Sequence, residues 1–157
     1  MNAPSITRSM TAGLGLTAGP AHSRHRLSGN RVDMRANDRR LATVVTISGD
    51  IDATNIDRVS ECITRFVLAG NAIILDLSDV YFIAAQGISV LIAIDDVYCA
   101  AAVHWALVPS HAVSRLLRIS DHDNILPTAS SVPEAMRHLA KHARVRRRQL
   151  PLVTTTA

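Results

Sequence analysis

His138 and His142 stand four residues apart in "RHLAKHA", a spacing that on a helix sets two imidazoles on one face, as a pair of zinc ligands would be. The residue after His138 is Leu139 and not the glutamate of a metallohydrolase helix, and spacing supplies no third ligand. The pair therefore reads as surface histidines beside a basic tail. Asp121-His122-Asp123 reads as a polar turn. Gly13-Leu-Gly15 lies in a leader and not at a strand-to-helix turn, so it fails the test for a dinucleotide site. There is no Walker-type loop, and no serine has the Gly-x-Ser-x-Gly setting of an activated nucleophile. The expectation is a protein that is not an enzyme and takes no cofactor or metal.

Cys62 and Cys99 are too few for a secreted disulfide framework and lack Cys-x-x-Cys spacing, so a reducing cytoplasm is the simplest setting. They fall in the first helix and at the end of the second, beside one region of the sheet. Two readings stand: a candidate redox pair, and two small buried hydrophobes.

Charge narrows the partners. The chain carries a net +4, with a pI near 9.8, but the excess lies in its ends. Residues 1–30 hold Arg8, Arg24 and Arg26 without an acid, and residues 144–157 hold Arg144, Arg146, Arg147 and Arg148 without an acid. The stretch 31–143 keeps ten bases against thirteen acids, a net −3. Aromatic residues are only 3% of the chain and none is interleaved with a basic run, so there is no stacking platform for single strands and no specific nucleic-acid partner is expected. Arg144–Arg148 reads as a solvated basic tail able at most to touch phosphates non-specifically. Residues 9–22 resemble a signal-peptide core only faintly, diluted by glycine and threonine, and no apolar run approaches the roughly 20 residues that span a bilayer. A soluble, cytoplasmic protein without membrane insertion is expected.

The elements that would position a site follow from periodicity. Residues 1–30, rich in small residues, read as a flexible leader; 31–143 form one domain; 144–157 form a basic flexible tail. "RVDMRAND" and "LATVVTISGDI" predict two strands joined by a turn. Thr54 with Asp57 resembles a weak capping box, and Ile56, Val59, Ile63 and Phe66 follow at helical spacing up to Gly70-Asn71. "AIILDLS" predicts a buried central strand, and the run after Gly87 a largely buried helix. "VHWALVP" is the next strand; Ser110 caps a helix to Ile119 with Val113, Leu116 and Leu117 inward. "NILPTAS" reads as a short edge strand. Ser131-Val-Pro-Glu134 starts a last helix with Val132, Met136, Leu139 and Ala143 inward. The order β-β-α-β-α-β-α-(β)-α predicts an α/β fold: a mixed, mainly parallel sheet of four to five strands with flanking helices.

In such a fold, functional groups gather where strands end and the next helices begin. Asp50 and Asp52 end the second strand in "SGDID", and Ala84-Ala85-Gln86-Gly87 precede the buried helix. The two aspartates also suit a plain strand end and helix cap.

The span from about Val44 to Leu139 resembles the STAS domain, the fold of bacterial anti-sigma factor antagonists. "VVTISGDIDATNIDRV" is similar to that family's Gly-acid-apolar-Asp segment, and "IILDLSDVYFIAAQGISVLIAI" to its Asp-Leu-Ser-x-Val-x-Phe-Ile-Asp-Ser-Ser/Thr-Gly-Leu core. The resemblance implies a non-catalytic module whose strand-to-helix junction binds a kinase-like anti-sigma factor, which phosphorylates a serine there. Here Ala84-Ala85-Gln86-Gly87 replaces Asp-Ser-Ser/Thr-Gly, so the carboxylate and both hydroxyls are missing and Ala85 and Gln86 mark a degenerate phosphosite. Ser89 is the nearest hydroxyl. Partner-binding residues are then expected to be Asp50, Asp52, Ala84, Ala85, Gln86, Gly87 and Ser89. The same scaffold also serves as an accessory subunit of a membrane lipid-transport ATPase and as a small-ligand or nucleotide sensor, and fold alone does not choose.

Overall fold

The computed structural model describes residues 23–26, 32–67 and 70–149. Among the described residues nine elements follow in order: β1 (Ser23–Arg26), β2 (Val32–Asp38), β3 (Thr43–Ile51), α1 (Ile56–Val67), β4 (Ile73–Ile83), α2 (Gln86–Ala100), β5 (Trp105–Pro109), α3 (His111–Ile119) and α4 (Val132–Gln149). The strands form one sheet in the order β1-β2-β3-β4-β5. β1 with β2 and β2 with β3 are antiparallel, whereas β3 with β4 and β4 with β5 are parallel, joined by the crossover helices α1 and α2. The predicted mixed α/β sheet with flanking helices is the observed one.

The alternation of side chains puts both faces of the central strands to use. Val45, Ile47, Ile73, Leu75, Leu77, Trp105 and Leu107 join the core that takes in Ile56, Val59 and Ile63 of α1, Leu91 and Ile94 of α2, and Val113 and Leu117 of α3. Val44, Ile74, Ala106 and Val108 turn the other way and are covered by Ala135 and Leu139 of α4. Tyr98 is fully buried; its hydroxyl donates to the Ile63 carbonyl at 3.1 Å, tying α2 to α1, and burial pushes the phenol pKa upward.

Four details differ from the sequence expectations. Ser23–Arg26, placed in the leader, pair with Asp33–Ala36 as an edge strand. "NILPTAS" reduces to one bridge, Leu107 to Thr128: Leu107 donates to the Pro127 carbonyl and accepts from the Ala129 amide, each at 2.8 Å, and a proline with no N–H cannot extend the ladder. Helix α4 does not stop at residue 143 but runs to Gln149, and Ala143, expected inward, is exposed because the helix has by then passed the strands that Ala135 and Leu139 cover. Cys99 is exposed rather than buried.

The capping arrangement of α4 is shifted by one residue. The Ser131 hydroxyl oxygen accepts from the Glu134 amide at 3.4 Å, but the Glu134 carboxylate reaches back to Ser130, accepting from its amide at 2.7 Å and from its hydroxyl. These hydrogen bonds hold the Glu134 carboxyl below its ordinary pKa.

Candidate interaction surface at the β3 and β4 ends

β4 outruns its neighbour. Its pairing with β5 ends at Leu77 opposite Pro109, while its pairing with β3 continues to Ile83 opposite Ile51. Two register shifts accommodate the longer strand, one between Thr46 and Ser48 and one between Gly49 and Asp50; Gly49 at φ 101° takes a conformation that side chains with a Cβ rarely adopt. The carboxyl ends of β3 and β4 thus finish side by side, and the Ala84 amide donates to the Ile51 carbonyl at 2.8 Å. This bond brings the two sequence-predicted segments, Asp50–Asp52 and Ala84–Gly87, onto one rim.

Asn55, which sequence reasoning did not single out, fixes one half of that rim. It is 3% exposed; its carbonyl oxygen accepts from the Asp52 amide at 3.1 Å and its amide nitrogen donates to the Asp50 carbonyl at 2.9 Å. The Asp52 carboxylate accepts from the Thr54 amide at 2.8 Å and from the Thr54 hydroxyl at 2.5 Å, while its backbone carbonyl accepts from the Ile56 amide. Asp52 therefore builds the turn that launches α1. The available signal was the Asp-x-Thr-Asn run itself, whose short polar side chains favour such turns.

The other half is built without polar side-chain caps. Ala85, the N-cap of α2, is already helical at φ −55° and ψ −34° and makes no side-chain cap bond. The first amides instead close tight turns, Gly87 to the Ala84 carbonyl at 2.8 Å and Ile88 to the Ala85 carbonyl at 3.2 Å. Gly87 is buried, and a Cβ there would meet Ile83 Cγ1 at 2.5 Å and Cδ1 at 2.6 Å. Packing, not backbone torsion, demands glycine at this junction. Ala85 and Gln86 are exposed, as is Ser89, which lies one helical turn beyond Ala85 on the same side.

The cysteines lie away from this rim, on α1 and at the far end of α2, and both thiols are free. Cys62 is half-buried against the core. Partial desolvation and the neighbouring Asp95 and Asp96 carboxylates raise the Cys99 pKa, which disfavours the thiolate. Cys99 lines a cleft of about 540 Å³ with Asp95, His104, Trp105, His138 and His142. There the Trp105 indole donates to Asp95 at 2.8 Å, and the rings of His104 and His142 stack with centroids 5.1 Å apart. Among the described residues, no three His, Cys, Asp or Glu side chains are placed to hold a metal ion, and no helix is long and apolar enough to cross a membrane.

Comparison with known proteins agrees with this architecture. Residues 31–135 match the model of the STAS domain. The chain is 44% identical over 130 residues to osmosensory protein A of Mycobacterium tuberculosis, covering 79% of this chain and 82% of that protein. Its fold is similar to the crystal structure of an anti-sigma factor antagonist from Mycobacterium paratuberculosis, with a TM-score of 0.62 at 21% identity over 69% of this chain and 94% of the other. It is also similar to the anti-sigma factor antagonist SpoIIAA in its unphosphorylated form, with a TM-score of 0.52 at 17% identity over 74% and 97% of the two chains.

Proposed function

The chain belongs to the STAS domain family, and on that footing we propose that it is a non-catalytic interaction module of the anti-sigma factor antagonist kind, one that binds a kinase-like anti-sigma factor without a serine switch. One observation carries the reading. The rim that joins Asp52 to the start of α2 is fully built, through the Ala84–Ile51 bond, yet its four junction residues offer no hydroxyl.

The chemistry follows from the residue types. Phosphoryl transfer from ATP needs a nucleophilic oxygen, and Ala84, Ala85 and Gly87 have none, while the Gln86 amide is not a nucleophile. A phosphate at this point would add about −1.5 to −2 charges to a surface already bearing Asp50 and Asp52 and would oppose docking of an acidic face. Without an acceptor the contact surface is permanently in its binding form, so control passes to the amount of protein or to another input. The structural neighbours support the antagonist class, and the name of the mycobacterial relative suggests osmotic stress as that input. The module would act in the cytoplasm.

The test is direct binding. The full chain should form a stoichiometric complex with an ATP-binding anti-sigma factor from the same cell, and Gln86→Glu, which puts a negative charge on the exposed rim, should weaken it without lowering the melting temperature. Retention of a transporter ATPase in place of a sigma regulator, or indifference to Gln86→Glu, contradicts the reading.

A further inference from the structure

Helix α4 continues ten residues past Leu139, its last described residue buried on the sheet, a projection of about 15 Å at 1.5 Å per residue. Residues 141–144 are all exposed. Arg137, Lys141 and Arg144 recur at i, i+4 and i+7, on the face opposite Ala135 and Leu139. The one acid of α4, Glu134, sits in the first turn and is engaged by Ser130. The start of the segment that reads from sequence as a loose tail is therefore helical, and Arg137, Lys141 and Arg144 share one exposed cationic face.

We propose that this face of α4 is a sequence-independent contact for the phosphates of double-stranded DNA. Charge complementarity argues for a polyanion. The helical form argues for a B-form duplex, whose major groove admits an α-helix, over A-form RNA, whose major groove is deep and narrow. An anionic membrane is disfavoured because the apolar residues of α4 that would enter a bilayer interface, Ala135, Met136 and Leu139, already pack against the sheet. The contact lies on a different element from the rim at the β3 and β4 ends, so the two can operate independently.

Counterion release sets the expected signature. Three phosphate contacts give a slope of log K against log salt near −2.7, so affinity for the duplex should fall about 40-fold between about 50 and 200 mM salt. The experiment is fluorescence anisotropy of the full chain with two unrelated duplexes of about 20 base pairs, alongside Arg137→Gln/Lys141→Gln/Arg144→Gln. The two duplexes should bind equally, and the triple variant should bind more weakly and lose most of the salt dependence. Circular dichroism should show the variant folded, as expected for three exposed positions; if it is not, the salt slope of the unaltered chain decides alone. No binding at about 50 mM salt with tens of micromolar protein overturns the proposal. So does a triple variant that binds as well as the parent, or a preference for phosphatidylserine vesicles or polyglutamate over the duplex.

Discussion

Gly87 and Ile83 are in contact across the strand-to-helix junction: the space where a Cβ of residue 87 would stand lies 2.5 Å from Ile83 Cγ1. That separation is shorter than two non-bonded carbons tolerate, so Gly87→Ala must push Ile83 or the start of α2 outward. Overpacking of this kind costs about 1–3 kcal/mol, which should appear as a lower urea midpoint at unchanged slope. Adding Ile83→Val, which removes Cδ1 from the 2.6 Å contact, should recover part of the loss. Additive effects of the two changes would show that the contact is not the cause.

Asp95 and Trp105 make the second test. The indole N–H of Trp105, in a side chain 6% exposed, finds its acceptor in Asp95 at 2.8 Å, and the ring stacks on Tyr98 with centroids 5.7 Å apart. Asp95→Ala leaves that donor without its carboxylate and should cost about 1–3 kcal/mol, while Asp95→Asn keeps an acceptor and should cost less. Both changes also remove a negative charge that raises the Cys99 pKa, so Cys99 should alkylate faster at pH 8 in either variant. Equal alkylation rates in parent and variants would contradict the contribution of Asp95, which adds to that of desolvation.

Much of this was legible because the apolar runs have unambiguous periods. Ile73–Leu77 and Trp105–Val108 are covered on both faces and read as buried strands, β4 inside the sheet and β5 at its end, and Ser110 caps α3 by accepting from the Val113 amide at 3.2 Å. Ser23–Arg26 was not legible, since a four-residue edge strand of "SRHR" has no hydrophobic alternation and shows itself only through its pairing with β2. The end of α4 was missed for a similar reason: the burial pattern stops near Leu139, but helix propensity in an Ala- and Arg-rich segment does not. At the rim, the rule that functional groups gather at strand ends pointed to Asp52 and Ala84, which the Ala84–Ile51 bond sets on one edge. Asn55 was not, because its role is to hold backbone atoms of Asp50 and Asp52, which only coordinates reveal.

Glu134 gives a pH prediction with a definite sign. Hydrogen bonds from Ser130 lower its pKa in the folded chain from the ordinary 4.5, so the folded state favours the ionised form. The stabilisation is present above pH 4.5 and is lost as pH falls through the lower folded value. Glu134→Gln should be less stable than the parent at pH 7, and the gap should close as the solution is acidified below that range. A gap that is constant from pH 7 to pH 3 would assign the effect to shape and not to charge.

Asn55→Ala should separate the rim from the fold. Two backbone groups, the Asp52 amide and the Asp50 carbonyl, lose their partner, at a cost of about 1–3 kcal/mol for buried polar groups left unpaired. Because both groups belong to the rim, binding to the anti-sigma factor should weaken more than about tenfold under conditions where the domain remains folded, while duplex binding by α4 stays unchanged. Parallel loss of both activities would indicate global unfolding instead.

The central claim is tested most directly by intact-mass measurement during incubation of the complex with the anti-sigma kinase and magnesium ATP. The parent chain should keep its mass and stay bound, whereas Ala84→Asp/Ala85→Ser/Gln86→Ser should gain about 80 Da at the start of α2 and dissociate, as the helix dipole accepts the phosphate and the partner does not. Efficient phosphorylation of the parent chain at Ser89 or elsewhere, followed by its release, would contradict the account.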